Sequence, residues 1–204
     1  TRISERLCVR EACEALPVRE TIWGPVIGTD AFGRTIAMRW TAHEADAIRL
    51  GAALEMEQAG SVAEAIAVAQ RSGIPQQNFT VGDSAGNIGW TIIGRVPRRQ
   101  GFDGQQAVSF ADGSKRWDGY LSPEETPSVV NPAGARIWTA NSRVVGGAAY
   151  AKLGDGGYDT GARAGRIRDL LLAKERFAPA DFLTIQLDDR QARNDPWAVM
   201  LLAE

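Results

Sequence analysis

The stretch Gln77-Asn78-Phe79-Thr80-Val81-Gly82-Asp83-Ser84-Ala85-Gly86-Asn87-Ile88-Gly89-Trp90-Thr91-Ile92-Ile93-Gly94 decides the fold class. Two runs rich in β-branched and aromatic residues, Phe79–Gly82 and Asn87–Gly94, flank the turn-forming Asp83-Ser84-Ala85-Gly86. Glycine at the end of that turn takes a positive φ at no steric cost, so the spacing predicts a β-hairpin. A hairpin joins antiparallel neighbours, whereas a doubly wound sheet needs helical crossovers. The expected class is therefore α+β.

Upstream of the hairpin, Ser61-Val62-Ala63-Glu64 is a capping-box signature that opens a helix running to about Arg71. Before it, Glu44–Glu57 places Ile48, Leu50, Ala53 and Leu54 near helical spacing. The segments Ala15–Ile27 and Thr35–Thr41 read as strands, broken by Gly24-Pro25 and by the turn Asp30-Ala31-Phe32-Gly33. Downstream, 96–134 carries Pro97, Pro123, Pro127 and Pro132 and reads as long irregular loop. A short strand is expected at Ala135–Ala140, then a glycine-rich passage at 146–161. Three helices are expected to close the chain: Arg163–Phe177 with Ile167, Leu170 and Leu171 on one face, Pro179–Leu187, and Arg190–Ala203.

The 204 residues carry 23 Lys plus Arg against 25 Asp plus Glu, a balance that excludes a strong field directed at nucleic acid or an anionic membrane. No apolar run reaches the roughly 20 residues of a membrane span. His43 is the sole histidine, placed at a helix start where exposure is expected, and it excludes a two-histidine zinc centre. Cys8 and Cys13 are expected to be unpaired buried thiols, with a local disulfide in an exported protein as the alternative. The opening TRISERLCVR has neither initiator Met nor secretory signal and reads as a processing site or an artificial boundary.

A series of short motifs shares one order with a known family. Trp23-Gly24-Pro25-Val26-Ile27, Arg39-Trp40-Thr41, and Gln77-Asn78-Phe79 with Asp83-x-x-Gly86-Asn87-Ile88-Gly89-Trp90 are followed by Gly94-x-x-Pro97-x-Arg99. Then come Trp117-Asp118-Gly119-Tyr120-Leu121-Ser122-Pro123-Glu124-Glu125, Asn131-Pro132-x-Gly134, Thr139-Ala140-Asn141 and Arg163-x-x-Arg166-Ile167. Their sequence resembles the penicillin acylase (penicillin amidase) family of N-terminal nucleophile hydrolases. Trp23 stands where relatives often have His, and Gly82 where Ala precedes the aspartate.

The resemblance implies part of an αββα sandwich, with antiparallel strands followed by C-terminal helices. It places residues 1–204 as an internal fragment of the catalytic chain, without the nucleophile-bearing segment and without the separate alpha chain. The parent is then an amidohydrolase that cleaves small acylated amines through an acyl-enzyme, and the fragment alone is inactive. Thr1, whose α-amine would be its own base, is set aside as nucleophile because Thr1-Arg2-Ile3-Ser4-Glu5-Arg6 is polar and resembles a later region. Asn141 is expected to donate its amide to the oxyanion, since a neutral fixed donor needs no pKa tuning. Arg163 is expected beside the nucleophile's amino group, where a positive charge favours the neutral amine. Gln77 is expected near the acyl pocket, and Asp155 as a ligand of a structural calcium; no cofactor is expected for catalysis. Asp83, Asn87, Arg99 and Trp117 are expected to build the scaffold. Family members suggest a periplasmic or extracellular setting. The rival reading is a non-catalytic binding module on an acylase-like scaffold.

Overall fold

Asp83 organises the hairpin at the centre of the molecule. In this computed structural model, which describes residues 1–45, 49–190 and 194–203, strand β5 (Gln77–Gly82) pairs antiparallel with β6 (Ile88–Ile93) in continuous register. Asp83 Oδ1 accepts from the backbone N–H groups of Ala85 (3.1 Å) and Asn87 (2.9 Å), and Gly86 has φ 87°. Its Oδ2 accepts from the Val62 N–H (3.2 Å), so one carboxylate ties the turn to the start of helix α2 (Val62–Arg71). These donors hold the Asp83 carboxyl below its usual range, the Asn87 side chain contributing most.

Helix α2 begins where the capping signature put it. Ser61 accepts from the Glu64 N–H at 3.2 Å, while Glu64 reaches back to the Gly60 N–H at 2.8 Å rather than to the cap residue itself. The helix buries Val62, Ala65, Ile66, Val68 and Ala69. Gly89 lets it lie close on β6: a Cβ there would stand 2.6 Å from Val62 Cγ1 and 2.9 Å from Ile66 Cδ1. On the opposite face of β6, Trp90 and Ile92 form a core with Val96, packed by Leu121, Val129, Ile137 and Val144. The buried polar side chains between α2 and β6 pair with one another, which offsets their loss of water. Gln70 Nε2 donates to Thr91 Oγ1 (3.1 Å), which donates to the Pro127 carbonyl (2.9 Å).

A four-stranded meander precedes this unit: β1 (Arg2–Val9), β2 (Ala12–Thr21), β3 (Gly24–Thr29) and β4 (Thr35–Ala37). The expectation of free, buried thiols is corrected here. The register sets Cys8 directly opposite Cys13, 4.1 Å apart at Cα, and the two form a disulfide at the tip of an exposed hairpin. Within the expected helix over Glu44–Glu57, the described residues include α1 (Leu50–Leu54) and a turn of 3-10 helix, Glu55–Gln58; residues 46–48, Ile48 among them, lie outside the described residues.

The stretch expected as loop holds three strands: β7 (Pro97–Gln100), β8 (Arg116–Tyr120) and β9 (Ser128–Val130). They are too short to show periodicity: β7 and β8 pair with each other across an intervening loop, and β9 takes its partner from outside the segment. β9 is the third strand beside β6, and Arg98 and Glu125 clamp the end of β7–β8. The glycine-rich passage contains α3 (Gly147–Leu153), ended by Gly154 at φ 73°. Conversely, the strand expected at Ala135–Ala140 does not form. Residues 136–139 run without helix, turn or bend, but no neighbouring strand is there to make a ladder among the described residues.

Helix α4 (Ala162–Leu172) stops short of Phe177 because Arg136 draws off the following chain, donating to the carbonyls of Leu171 (3.4 Å), Lys174 (3.3 Å) and Glu175 (2.6 Å). Helix α5 (Pro179–Gln186) follows, with Asp181 Oδ2 accepting from the Ala178 N–H. Of the last expected helix, Asp195–Leu202 forms α6, and 191–193 lie outside the described residues. The α+β class with antiparallel sheets is thus as read from the hairpin.

Candidate active site

Asn141 follows the straight segment 136–139 and stands exposed between half-buried Ala140 and buried Ser142. Its neighbours fix the backbone on both sides. The Ala140 carbonyl accepts from Asn78 Nδ2 (2.7 Å), and Asn78 Oδ1 in turn accepts from the indole N–H of Trp90 (2.9 Å). The Asn141 carbonyl accepts from the Asp159 N–H at 2.7 Å. A rigid core residue is therefore linked, through one asparagine, to the residue preceding Asn141.

The side chain of Asn141 meets that of Arg163, 22 positions away, with Arg163 Nη2 donating to Asn141 Oδ1 at 2.6 Å. A guanidinium has donors and no acceptor, so the contact settles which end of the amide faces it. The Nδ2 donor is left facing away, with no protein acceptor among the described residues. Arg163 also lies 3.5 Å from Asp159 Oδ2. As the second residue of α4, Arg163 is a cation at the positive end of a helix, an unfavourable place that a carboxylate ahead of the helix offsets. Asp159 is kept ionised by the Thr160 N–H and hydroxyl and by Arg163, which lower its pKa. Arg163 lines a cleft of about 720 Å³ between α4 and α5, with Arg166, Ile167, Phe182 and Asp188. Asn141 adjoins it through Arg163 rather than lining it.

The two residues expected to serve catalysis are thus brought together. Gln77 is not brought to them. It is exposed at the start of β5, opposite Ile93, and is absent from the walls of the clefts described here. Its neighbour Asn78 makes the connection instead. Sequence reasoning passed over Asn78 and Asp159. Strand alternation was the available signal for Asn78, since it shares a face of the hairpin with Trp90. Thr1 belongs to the hairpin of β1 and β2, its amine donating to the Glu20 carbonyl at 2.8 Å. His43 is exposed at the end of a 3-10 turn, as expected.

Asp155 accepts from the Gly157 N–H (2.8 Å) with its carboxylate and donates its own N–H to the Gly104 carbonyl (3.1 Å). It lines a cleft of about 620 Å³ walled by Trp23, Phe102, Phe110 and Trp117 and shared with Arg99. The Arg99 guanidinium lies against Gly104 and Gly154, where a Cβ would come within 2.5 Å and 2.7 Å of it. Calcium takes six to eight oxygen ligands. Among the described residues no three His, Cys, Asp or Glu side chains converge, and a guanidinium occupies the same cleft. These residues by themselves do not fit a calcium ion. Asp83, Asn87, Arg99 and Trp117 are all engaged in scaffold contacts: Asn87 bridges Asp83 and Asn131, Arg99 donates to the Lys152 carbonyl, and Trp117 carries the Arg39 guanidinium at 4.5 Å from its ring centre.

Comparison with known proteins bears on this arrangement. Penicillin acylase 2 proenzyme from Pseudomonas sp. (strain SE83) is 31% identical over 186 residues, covering 90% of this chain and 24% of that protein. Acyl-homoserine lactone acylase QuiP from Pseudomonas aeruginosa is 29% identical over 174 residues, covering 85% of this chain and 20% of its own length. The chain therefore spans a quarter or less of the curated relatives it matches. Among solved structures, a thermostable penicillin G acylase from Alcaligenes faecalis superposes with TM-score 0.67 at 23% identity, over 91% of this chain and 33% of that one, which is a likeness of fold. The family model described as penicillin amidase matches residues 1–203, and the chain belongs to the penicillin amidase family.

Proposed function

We propose that residues 1–204 supply the oxyanion-stabilising part of an acyl-amide hydrolase whose nucleophile comes from elsewhere in the parent protein. The supporting observation is the 2.6 Å bond from Arg163 to Asn141 Oδ1, which turns the Asn141 N–H₂ outward as a held donor. In this reading a hydroxyl carried by another segment of the catalytic chain attacks the amide carbonyl. Nδ2 of Asn141 donates to the oxygen as it gains charge, the amine leaves, and water releases the acyl group. The pull of Arg163 on Oδ1 polarises the carboxamide and strengthens the Nδ2 donor. The same positive charge also disfavours protonation of a nearby amine, keeping it able to accept a proton.

The substrates proposed are small acylated amines, such as β-lactam side-chain amides and N-acyl-homoserine lactones, in keeping with relatives named as a penicillin acylase and an acyl-homoserine lactone acylase. The partners proposed are the rest of the catalytic chain and a separate alpha chain. An oxidising, exported setting agrees with the Cys8–Cys13 disulfide. No described helix is long and apolar enough to cross a membrane. In the intact parent, Asn141→Ala is expected to lower kcat by about 10²–10³-fold with little change in KM. Unchanged turnover in a folded variant excludes the oxyanion role.

A further inference from the structure

Asn78 is a polar side chain on an apolar face. In the register of β5 and β6 it stands opposite Ile92 and diagonal to Trp90, so it shares the side of the hairpin that carries the core of Trp90, Ile92 and Val96. Asparagine is depleted in strands, and burying its carboxamide is unfavourable unless its polar ends are bonded. Here both ends are. The indole N–H of Trp90, a residue only 1% exposed, donates to Asn78 Oδ1 at 2.9 Å. Asn78 Nδ2 donates to the Ala140 carbonyl at 2.7 Å, 62 positions away. An indole nitrogen is a donor only, so the first bond decides that the N–H₂ end points at Ala140. Two apolar residues would serve the strands as well and leave nothing to satisfy. What the polar pair adds is a hold on the Ala140 carbonyl.

That oxygen belongs to the planar peptide shared with Asn141, so holding it orients the bond from which the Asn141 Cα departs. The hydroxyl of the adjacent Thr139 also donates to it, at 3.2 Å, but this bond lies within the segment and ties nothing to the core. Asn78 ties it to the sheet. We infer that Asn78 is a positioning residue for the oxyanion step: through the Ala140 carbonyl it sets where the Asn141 backbone, and hence Nδ2, stands. The inference rests on the role proposed for Asn141 above. Arg163 and Asn78 then restrain different freedoms. Arg163 fixes the rotation of the Asn141 carboxamide through Oδ1, and Asn78 fixes the backbone that carries it. Each asparagine is turned by a donor on its Oδ1 and presents its Nδ2 to the next acceptor, so the order of the core is passed outward in two steps.

Amide turnover by the intact parent, normalised to folded protein, tests this with Asn78→Ala made singly and together with Asn141→Ala. The single Asn78→Ala change is expected to lower kcat by about 10–10²-fold with KM nearly unchanged. In the Asn141→Ala background it is expected to cost less than about 2-fold more, because both changes spoil one donor. An unchanged kcat in folded Asn78→Ala overturns the inference, and so does a full-sized loss that persists once Asn141 is already Ala. Should the alanine variant fail to fold, Asn78→Asp decides. It is nearly isosteric and still accepts from Trp90, but its carboxylate has no proton for Ala140, whereas its neutral acid has one. The ratio of its kcat to that of the unaltered enzyme is expected to rise as pH is lowered from about 8 to about 5. A ratio independent of pH marks a merely structural residue and overturns the inference. The two readings fail distinguishably: normal turnover by Asn141→Ala removes the oxyanion role and this inference with it, whereas a slow Asn141→Ala beside an unimpaired Asn78→Ala removes the inference and leaves the role.

Discussion

Asn141 is exposed and sits on an irregular segment, which for an isolated asparagine signifies nothing beyond turn formation. What distinguishes it is that three of its surroundings are fixed: the Ala140 carbonyl by Asn78, its own carbonyl by Asp159, and its Oδ1 by Arg163. The proposed donor is held before any substrate arrives, which is the condition under which it lowers a barrier. Arg163→Ala releases the carboxamide to rotate, and a misplaced donor is expected to reduce kcat of the parent by about 10²-fold. Arg163→Lys retains the charge without the planar fork and is expected to restore only part of the loss. An Arg163→Ala enzyme with wild-type kcat removes the arginine from the proposed machinery. Asn141 and Arg163 were legible only through the order of family motifs. Their contact was not, because they lie 22 positions apart across a glycine-rich chain with a short helix, and no local pattern encodes how that chain returns.

At the scale of elements, legibility followed local chemistry. The hairpin around Asp83 and the capped start of α2 were readable because a turn and a cap are satisfied by residues within four positions. The strands β7, β8 and β9 were not, since each is defined by a partner and by side chains from distant segments, such as the Arg98–Glu125 pair. That pair has a pH signature. Arg98 and the Ser122 N–H lower Glu125 from 4.5 to about 2 in the folded state. Its contribution to stability is present above pH 4.5 and is lost as pH falls through about 2. Urea denaturation between those limits is expected to show a shallower acid decline for Glu125→Gln than for the unaltered protein. Equal slopes contradict the assignment. The close seat of α2 on β6 is tested by Gly89→Val, which forces a branched side chain into the space of Val62 and Ile66 and is expected to cost about 1–3 kcal/mol in urea denaturation. The disulfide acts locally, because β1 and β2 are largely exposed and β1 joins the sheet through β2. Reduction is expected to speed trypsin cleavage after Arg10, in the turn, while the exchange of the Trp90 and Thr91 amides stays unchanged.

Across the whole molecule, apolar surface is left uncovered on a scale unlike that of a self-sufficient domain. Trp197, Val199, Met200, Leu201 and Leu202 are all exposed on α6, and Ile3, Leu7, Val9 and Leu16 on the first hairpin. These surfaces fit a piece whose neighbours are supplied by a much longer protein. The isolated chain is accordingly expected to bind the hydrophobic dye ANS and to show no amide hydrolysis above buffer, whereas the parent protein does the opposite. The central claim is that the oxyanion donor lies in this chain and the nucleophile does not. Its most direct test is to inactivate the intact parent with an active-site sulfonyl fluoride and locate the adduct by peptide mass spectrometry. The account predicts a single adduct on a hydroxyl residue outside residues 1–204; an adduct on Thr1, or on any other residue of this chain, contradicts it.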